Sequence, residues 1–96
     1  MGRMTDVVIG RAFLVDGVVQ GVGFRWFTRE IAVRTATTGW VANRSDGSVH
    51  GEVFGIETAV AEFLAAVGRG PTLGRVEKFE VTEIDVRANS RFEILK

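Results

Sequence analysis

The chain has 96 residues, with 12 basic and 12 acidic side chains, a formal net charge of zero and no cysteine. Its length predicts one small domain with a single hydrophobic core. Zero net charge excludes general attraction to nucleic acid or to an anionic membrane, so a bound anion must be held by local geometry. The lack of cysteine excludes disulfides and thiolate chemistry and fits a reducing compartment. Because the apolar runs are too short for a membrane span or a signal peptide, we expect a cytoplasmic protein. A compact neutral domain with no long apolar surface pattern is expected to be a monomer.

Seven elements follow from the hydrophobic patterning. Runs of β-branched and apolar residues, or strict alternation, predict strands, whereas apolar residues at spacings of three and four predict helices. In chain order, these are a flexible N-terminus at 1–6, a strand at 7–15, a helix at 24–35, strands at 40–44 and 48–55, a helix at 57–67, a strand at 76–84 and a last strand at 91–96.

Residues with special backbone preferences mark the boundaries of these elements. Asp16-Gly17 is expected to break the first strand, and Ser45-Asp46-Gly47-Ser48 is a strong hairpin turn. Gly68 and Gly70-Pro71 are expected to stop the second helix. A shift in alternation near the middle of the 76–84 strand predicts a β-bulge.

The order of these elements is β-α-β-β-α-β with an additional terminal strand. This order predicts an α+β fold, the ferredoxin-like split β-α-β-β-α-β sandwich, in which two helices cover one face of an antiparallel sheet. A right-handed crossover makes the strands at 7–15 and 40–44 run in the same direction, so they end at the same edge of the sheet. The loop after the first strand and the end of the 40–44 strand are therefore expected to lie together.

Two motifs fall at this edge: Val-Gln-Gly-Val-Gly-Phe-Arg at 19–25 and Gly-Trp-Val-Ala-Asn at 39–43. Gly21 and Gly23 allow positive φ angles, and the first turn of a helix leaves backbone N–H groups unpaired, which together favour an anion-binding nest. Arg25 adds a permanent charge with a planar fork of donors. Asn43 does not titrate, so its plausible role is to hold a water. The combination indicates phosphoryl transfer to water by positioning and electrostatics, which requires a good leaving group such as a carboxylate.

Both motifs, together with Asp46-Gly47, resemble those of the acylphosphatase family. The similarity runs from about residue 8 to residue 96, with further matches at Glu62-Phe63-Leu64, Gly70-Pro71, Val76-Glu77 and Phe92-Glu93-Ile94. The resemblance implies an acylphosphatase-like domain over 7–96 that cleaves the carboxyl–phosphate bond of small acyl phosphates without metal or cofactor. It implies Arg25 and Asn43 as catalytic residues and a substrate-binding set of Gln20, Gly21, Val22, Gly23, Phe24 and Arg25.

The chain departs from the family pattern where the first helix ends. Thr35-Ala36-Thr37 stands where a Leu-Gly-Leu-like stretch is usual, and losing the glycine is expected to weaken the helix C-cap by about 1 kcal/mol. A single proline, Pro71, precedes Thr72 where a second proline is common. Neither change touches Arg25 or Asn43.

Two other functions remain open at this point. One is a binding module for phosphate or carbamoyl phosphate without turnover, as in domains fused to hydrogenase-maturation proteins; the chain ends at Lys96 without their zinc-motif sequence, which favours a separate enzyme. The other is an RNA-binding module, which would place aromatic residues on the open sheet face. His50 and Glu52 lack a third metal ligand and are interpreted as a solvated pair. Both tryptophans and the seven phenylalanines are expected in the core or at its rim.

Overall fold

The computed structural model describes residues 7–96; the expected flexible segment at 1–6 lies outside them. The described residues form, in chain order, β1 (Val8–Val18), α1 (Phe24–Thr35), β2 (Thr38–Asn43), β3 (Val49–Ile56), α2 (Glu57–Arg69), β4 (Arg75–Ile84) and β5 (Phe92–Leu95). No helix within residues 7–96 has the length and apolar character needed to cross a membrane.

One five-stranded sheet carries all the strands, in the order β4-β1-β3-β2-β5. β1 and β2 each pair antiparallel with β3, which lies between them, so both run in the same direction. This arrangement confirms the split β-α-β-β-α-β fold expected from the sequence. The added strand β5 pairs in parallel with β2, which makes the sheet mixed rather than purely antiparallel.

The prediction that Asp16-Gly17 breaks the first strand is wrong, because β1 continues to Val18. The pairing with β4 instead shifts by one residue here: Asp16 lies opposite Lys78 and Gly17 opposite Val76, so β4 bulges near its start and not at its middle. Gly17 has a φ of 129°, and a Cβ at this position would overlap the carbonyl oxygen of Arg75. Gly17 therefore allows β4 to bulge opposite it while β1 continues to Val18.

The core lies between the helices and one face of the sheet. The ring centroids of Phe13 and Phe63 are 5.6 Å apart, as are those of Phe63 and Phe92, so β1, α2 and β5 meet through aromatic contacts. All seven phenylalanines are buried or partly buried, as expected. The fully buried side chains also include Val15, Val19, Phe24, Ile31, Val41, Val49, Val53, Val60 and Val67.

The two helices end differently from each other. Gly68 stays helical and α2 reaches Arg69 before Gly70 caps it, two residues beyond the expected end. Ala36 caps α1 in the left-handed region, with φ 58° and ψ 40°. The amide of Thr37 donates to the carbonyl of Ala32 at 3.0 Å, as in a Schellman motif. Ala36, which has a Cβ, thus occupies a left-handed position that glycine adopts without strain.

Replacing Ala36 with glycine is expected to stabilise the protein. The left-handed conformation costs an L-residue about 1 kcal/mol or more, and glycine's greater freedom in the unfolded chain offsets part of the gain. We expect the free energy of unfolding to rise by about 0.5–1 kcal/mol and Tm by about 2–8 °C in thermal unfolding. As a matched control, Ala61→Gly at an exposed site within α2 should lose about 1 kcal/mol. Equal losses in both variants would contradict the observed cap.

Candidate active site

Three strands end at one edge of the sheet. β1 and β2 run in the same direction, and β5 runs parallel to β2, so Val18, Asn43 and Leu95 all lie at this edge. The loop that leaves β1 leads there into the N-terminus of α1. The loop between β1 and α1, the start of α1 and the ends of β2 and β5 therefore lie close together at this edge, although they are far apart in the sequence.

The loop before α1 has the backbone conformation that the glycine spacing predicts. Gly21 and Gly23 have φ angles of 76° and 75°, and Gly23 is the N-cap of the helix. A Cβ at either glycine would meet no described atom within 4 Å, so the φ angle and not crowding requires glycine. The first intrahelical bond comes from the Phe27 amide to the Gly23 carbonyl, which leaves the amides of residues 24–26 without an intrahelical acceptor.

Arg25 projects from the first turn of α1, where the helix dipole disfavours a cation. Its terminal nitrogen Nη1 donates to the carbonyl oxygen of Leu95 at 3.1 Å. Within residues 7–96 Arg25 forms no ion pair, and the first turn of α1 has no acidic residue. A neutral carbonyl therefore holds the guanidinium in place. Within residues 7–96 no carboxylate pairs with it, so its other N–H donors can bind an anion.

Asn43 is the last residue of β2 and faces the helices. Alternation along the strand places Val41, which is fully buried, and Asn43 on the helix side, while Ala42 faces the other way. Asn43 is half-buried and pairs with Val49 across the sheet. The strand thus directs a neutral amide side chain toward the loop and the start of α1.

These elements enclose a cleft of about 220 Å³. This volume lies below the range of roughly 300–1,000 Å³ usual for drug-sized ligands, so the cleft suits a small one. Five predicted site residues line it (Gly21, Gly23, Phe24, Arg25 and Asn43), together with Val19, Trp26 and Ile94. Gln20 and Val22 are not among the lining residues, and Phe24 is only 1% exposed, so its ring belongs to the core.

The Gln20 side chain binds the β2–β3 hairpin. Its Nε2 donates to the carbonyl oxygens of Arg44 at 2.7 Å and Ser48 at 2.9 Å. The hairpin is itself closed by the Asp46 carboxylate, which accepts from the Ser48 hydroxyl and amide. These two hydrogen bonds hold the pKa of Asp46 below its usual value, and the bond from the Ser48 hydroxyl has the larger effect. Gln20 thereby connects the glycine loop to the residue that follows Asn43.

Replacing Gln20 with alanine is expected to loosen the loop relative to Asn43. Two carbonyls would lose their donor, so the free energy of unfolding should fall by about 1–2 kcal/mol in phosphate-free buffer, measured by urea unfolding. Gln20→Glu keeps the side-chain size but replaces the donor amide with a carboxylate, which cannot donate to the two carbonyls. At neutral pH it should lower the free energy of unfolding at least as much as Gln20→Ala. A side chain whose only role is to contact ligand would leave the stability of the phosphate-free protein unchanged.

His50 and Glu52 lie on the open face of the sheet, but they are not the solvated pair expected from the sequence. The Trp40 indole N–H donates to Glu52 Oε1 at 3.1 Å, and Arg87 forms an ion pair with the same oxygen at 3.2 Å. The rings of Trp40 and His50 meet edge to face, with centroids 5.1 Å apart. Burial, with the nearby charge of Arg44, lowers the pKa of His50. Trp40 and Arg87 thus satisfy the Glu52 carboxylate, and His50 packs against the Trp40 ring, so neither side chain is simply solvated.

This open face carries a larger cleft, of about 280 Å³, but its chemistry is unsuited to phosphate. Its lining includes Arg44 but also two carboxylates, Glu52 and Glu80, which repel an anion, and it has no glycine loop at a helix N-terminus. No group of three or more potential metal ligands occurs within residues 7–96. The smaller cleft at the sheet edge is therefore the candidate active site.

A family model described as Acylphosphatase matches residues 11–94, which is most of the chain and includes both motifs at the cleft. The chain belongs to the acylphosphatase family. It is therefore assigned as an enzyme of this family, whose members act on small acyl phosphates.

Relatives from several bacteria agree with this assignment. An acylphosphatase of Moorella thermoacetica is 45% identical over 82 residues, covering 85% of this chain and 88% of the relative. An acylphosphatase of Oceanobacillus iheyensis is 49% identical over 71 residues, covering 73% and 78%.

Solved structures share the fold. The crystal structure of acylphosphatase from Bacillus subtilis has a TM-score of 0.89 at 37% identity, covering 94% of this chain and all of that one. The crystal structure of full-length HypF in its phosphate- and nucleotide-bound form has a TM-score of 0.87 at 32% identity. It covers 94% of this chain but only 12% of that much longer protein.

Proposed function

We propose that this chain hydrolyses small acyl phosphates to a carboxylate and inorganic phosphate, with each step carried by residues of the edge cleft. The observation that carries the proposal is the convergence of Arg25, the loop of Gly21 and Gly23, and Asn43 on one cleft of about 220 Å³. Arg25 and the backbone amides at the start of α1 bind the phosphate oxygens, with the helix dipole adding a partial positive charge.

Asn43 orients the attacking water. Its amide accepts a hydrogen bond from the water and donates another, but it cannot remove a proton. The water oxygen bonds to phosphorus as the bond between phosphorus and the bridging oxygen breaks, and that oxygen leaves with the carboxylate. The proton of the water passes to a phosphate oxygen. Arg25 and the amides stabilise the charge on the transferring phosphoryl group, so positioning and electrostatics supply the rate enhancement.

The test is hydrolysis of acetyl phosphate and benzoyl phosphate by purified protein in the presence of EDTA, run in water enriched in ¹⁸O. We expect rapid cleavage of at least one substrate, with the label in phosphate. Label in the carboxylate would show attack at the carbonyl carbon and overturn the mechanism. No cleavage of either substrate by folded protein would overturn the enzymatic function.

A second candidate is a phosphate-binding or carbamoyl-phosphate-binding module. It is favoured by the likeness to one part of HypF, whose structure was solved with phosphate and nucleotide bound. This candidate predicts that inorganic phosphate or carbamoyl phosphate binds in the cleft without turnover, which calorimetry beside the hydrolysis assay would distinguish. Cytoplasmic location and the monomeric state remain predictions from the sequence.

A further inference from the structure

Trp26 is an unusually exposed large apolar side chain for a residue beside the candidate active site. It occupies the third position of α1 and is 61% exposed. The other tryptophan, Trp40, is half-buried and its indole N–H is bonded to Glu52. A large apolar group that stays in water at a concave site is a frequent sign of a contact surface for a ligand.

Trp26 lines the same cleft as Arg25 and Asn43. Ile94, which is 39% exposed, reaches the cleft from β5 on the helix side of the sheet. Arg25 is the only charged residue among the described residues that line the cleft. The cleft therefore combines one polar part, formed by Arg25, Asn43 and loop amides, with one apolar part formed chiefly by Trp26 and Ile94.

We propose that Trp26 and Ile94 form a subsite for the acyl group of the substrate, so that acyl phosphates with an aromatic or bulky apolar acyl group are preferred. The inference rests on the proposed function, because the phosphate must occupy the polar part of the cleft. Once it does so, the acyl group lies beside the apolar part. An indole ring offers a broad contact area and loses little conformational freedom on binding. Acetyl and carbamoyl groups are too small to bury much of that area.

The first test is binding of two phosphonates that cannot be hydrolysed. Benzylphosphonate and methylphosphonate share the phosphate-like group and differ in the phenyl ring. Calorimetry with the wild-type protein should show benzylphosphonate binding about tenfold more tightly, a factor typical of one aromatic contact. Trp26→Ala should remove this preference by weakening benzylphosphonate alone, and Trp26→Phe should retain most of it.

The second test compares kcat/KM for benzoyl phosphate and acetyl phosphate. Trp26→Ala should lower the value for benzoyl phosphate about tenfold and leave that for acetyl phosphate within about twofold. Val33→Ala is a matched control, since Val33 is a 65% exposed apolar residue of the same helix outside the cleft lining. That variant should change neither value.

The two tests separate the failure of this inference from failure of the proposed function. Equal affinities for both phosphonates, or a preference that survives in Trp26→Ala, would overturn the acyl subsite even if hydrolysis is rapid. A preference lost in Trp26→Ala would support the subsite even if no substrate is cleaved, in which case only the enzymatic proposal falls. Binding of neither phosphonate would overturn the acyl subsite, while the hydrolysis assay alone decides the enzymatic proposal.

Discussion

Asn43→Ala is expected to lower kcat for acyl phosphate hydrolysis by about 10²–10³-fold while the inhibition constant of inorganic phosphate changes by less than about threefold. Losing one preorganised hydrogen-bonding group in an active site has an effect of this size on the reaction rate. Affinity for phosphate should survive, because in our proposal Arg25 and the loop amides hold the anion and Asn43 holds the water. Steady-state kinetics with phosphate as a competitive inhibitor measure both quantities on one sample.

Two further variants sharpen this test. Asn89→Ala removes the only other asparagine, which is exposed in the segment before β5, and should leave both quantities unchanged. Asn43→Asp keeps the shape but places a negative charge beside the anion site, so it should weaken phosphate binding as well as turnover. A loss of phosphate affinity in Asn43→Ala as large as that in Arg25→Ala would show that the proposed division of roles is wrong.

Arg25→Ala is expected to lower kcat/KM by about 10³-fold or more and to weaken phosphate binding by at least about tenfold. The variant removes the one charged group among residues 7–96 that lines the cleft. Hydrogen bonds to a charged partner are roughly twice as strong as neutral ones, and the guanidinium presents a fork that matches two phosphate oxygens. Arg25→Lys keeps the charge without the fork and should fall between the wild type and Arg25→Ala.

Thermal stability separates a catalytic Arg25 from a structural one. A cation in the first turn opposes the helix dipole, and among residues 7–96 the Arg25 side chain gains one hydrogen bond, to the Leu95 carbonyl. We therefore expect Tm of Arg25→Ala in phosphate-free buffer to stay close to that of the wild type. Added phosphate should raise Tm of the wild type and of the control Arg34→Ala, but not that of Arg25→Ala, because only a bound ligand stabilises the folded state. A large loss of Tm without phosphate would indicate a structural role.

Much of the site could be predicted because it depends on local rules. Positive φ angles at Gly21 and Gly23 follow from the glycine spacing, and the helix start at Phe24 follows from its apolar stripe. Asn43 could be placed because alternation and a β-α-β crossover determine both the face and the edge where its strand ends. The sequence also predicts a weakened C-cap from the missing glycine at the end of α1, where the structure has Ala36 in the left-handed region.

The remaining features depend on long-range placement. Nothing local indicates that β5 pairs in parallel with β2, yet this pairing brings Ile94 into the cleft. The sequence predicts Gln20 as part of the substrate loop, but no local pattern predicts that its amide also donates to the carbonyls of residues 44 and 48, because this depends on the position of the hairpin. Trp26 was expected in the core or at its rim, because composition alone does not distinguish a packed tryptophan from one exposed at a binding site.

Because Arg25 is hydrogen-bonded to Leu95, the position of its guanidinium depends on β5, the shortest strand of the sheet. β5 has four residues and, within residues 7–96, pairs with β2 alone as an outer strand of the sheet, and of its side chains only Phe92 is buried. Segments with few buried apolar contacts can open locally at free energies below that of complete unfolding. Each such opening would release the carbonyl that holds the guanidinium together with the side chain of Ile94. If Arg25 acts as proposed, the fraction of molecules able to bind and cleave substrate would therefore depend on the local stability of β5, while the fraction that are folded depends on the core.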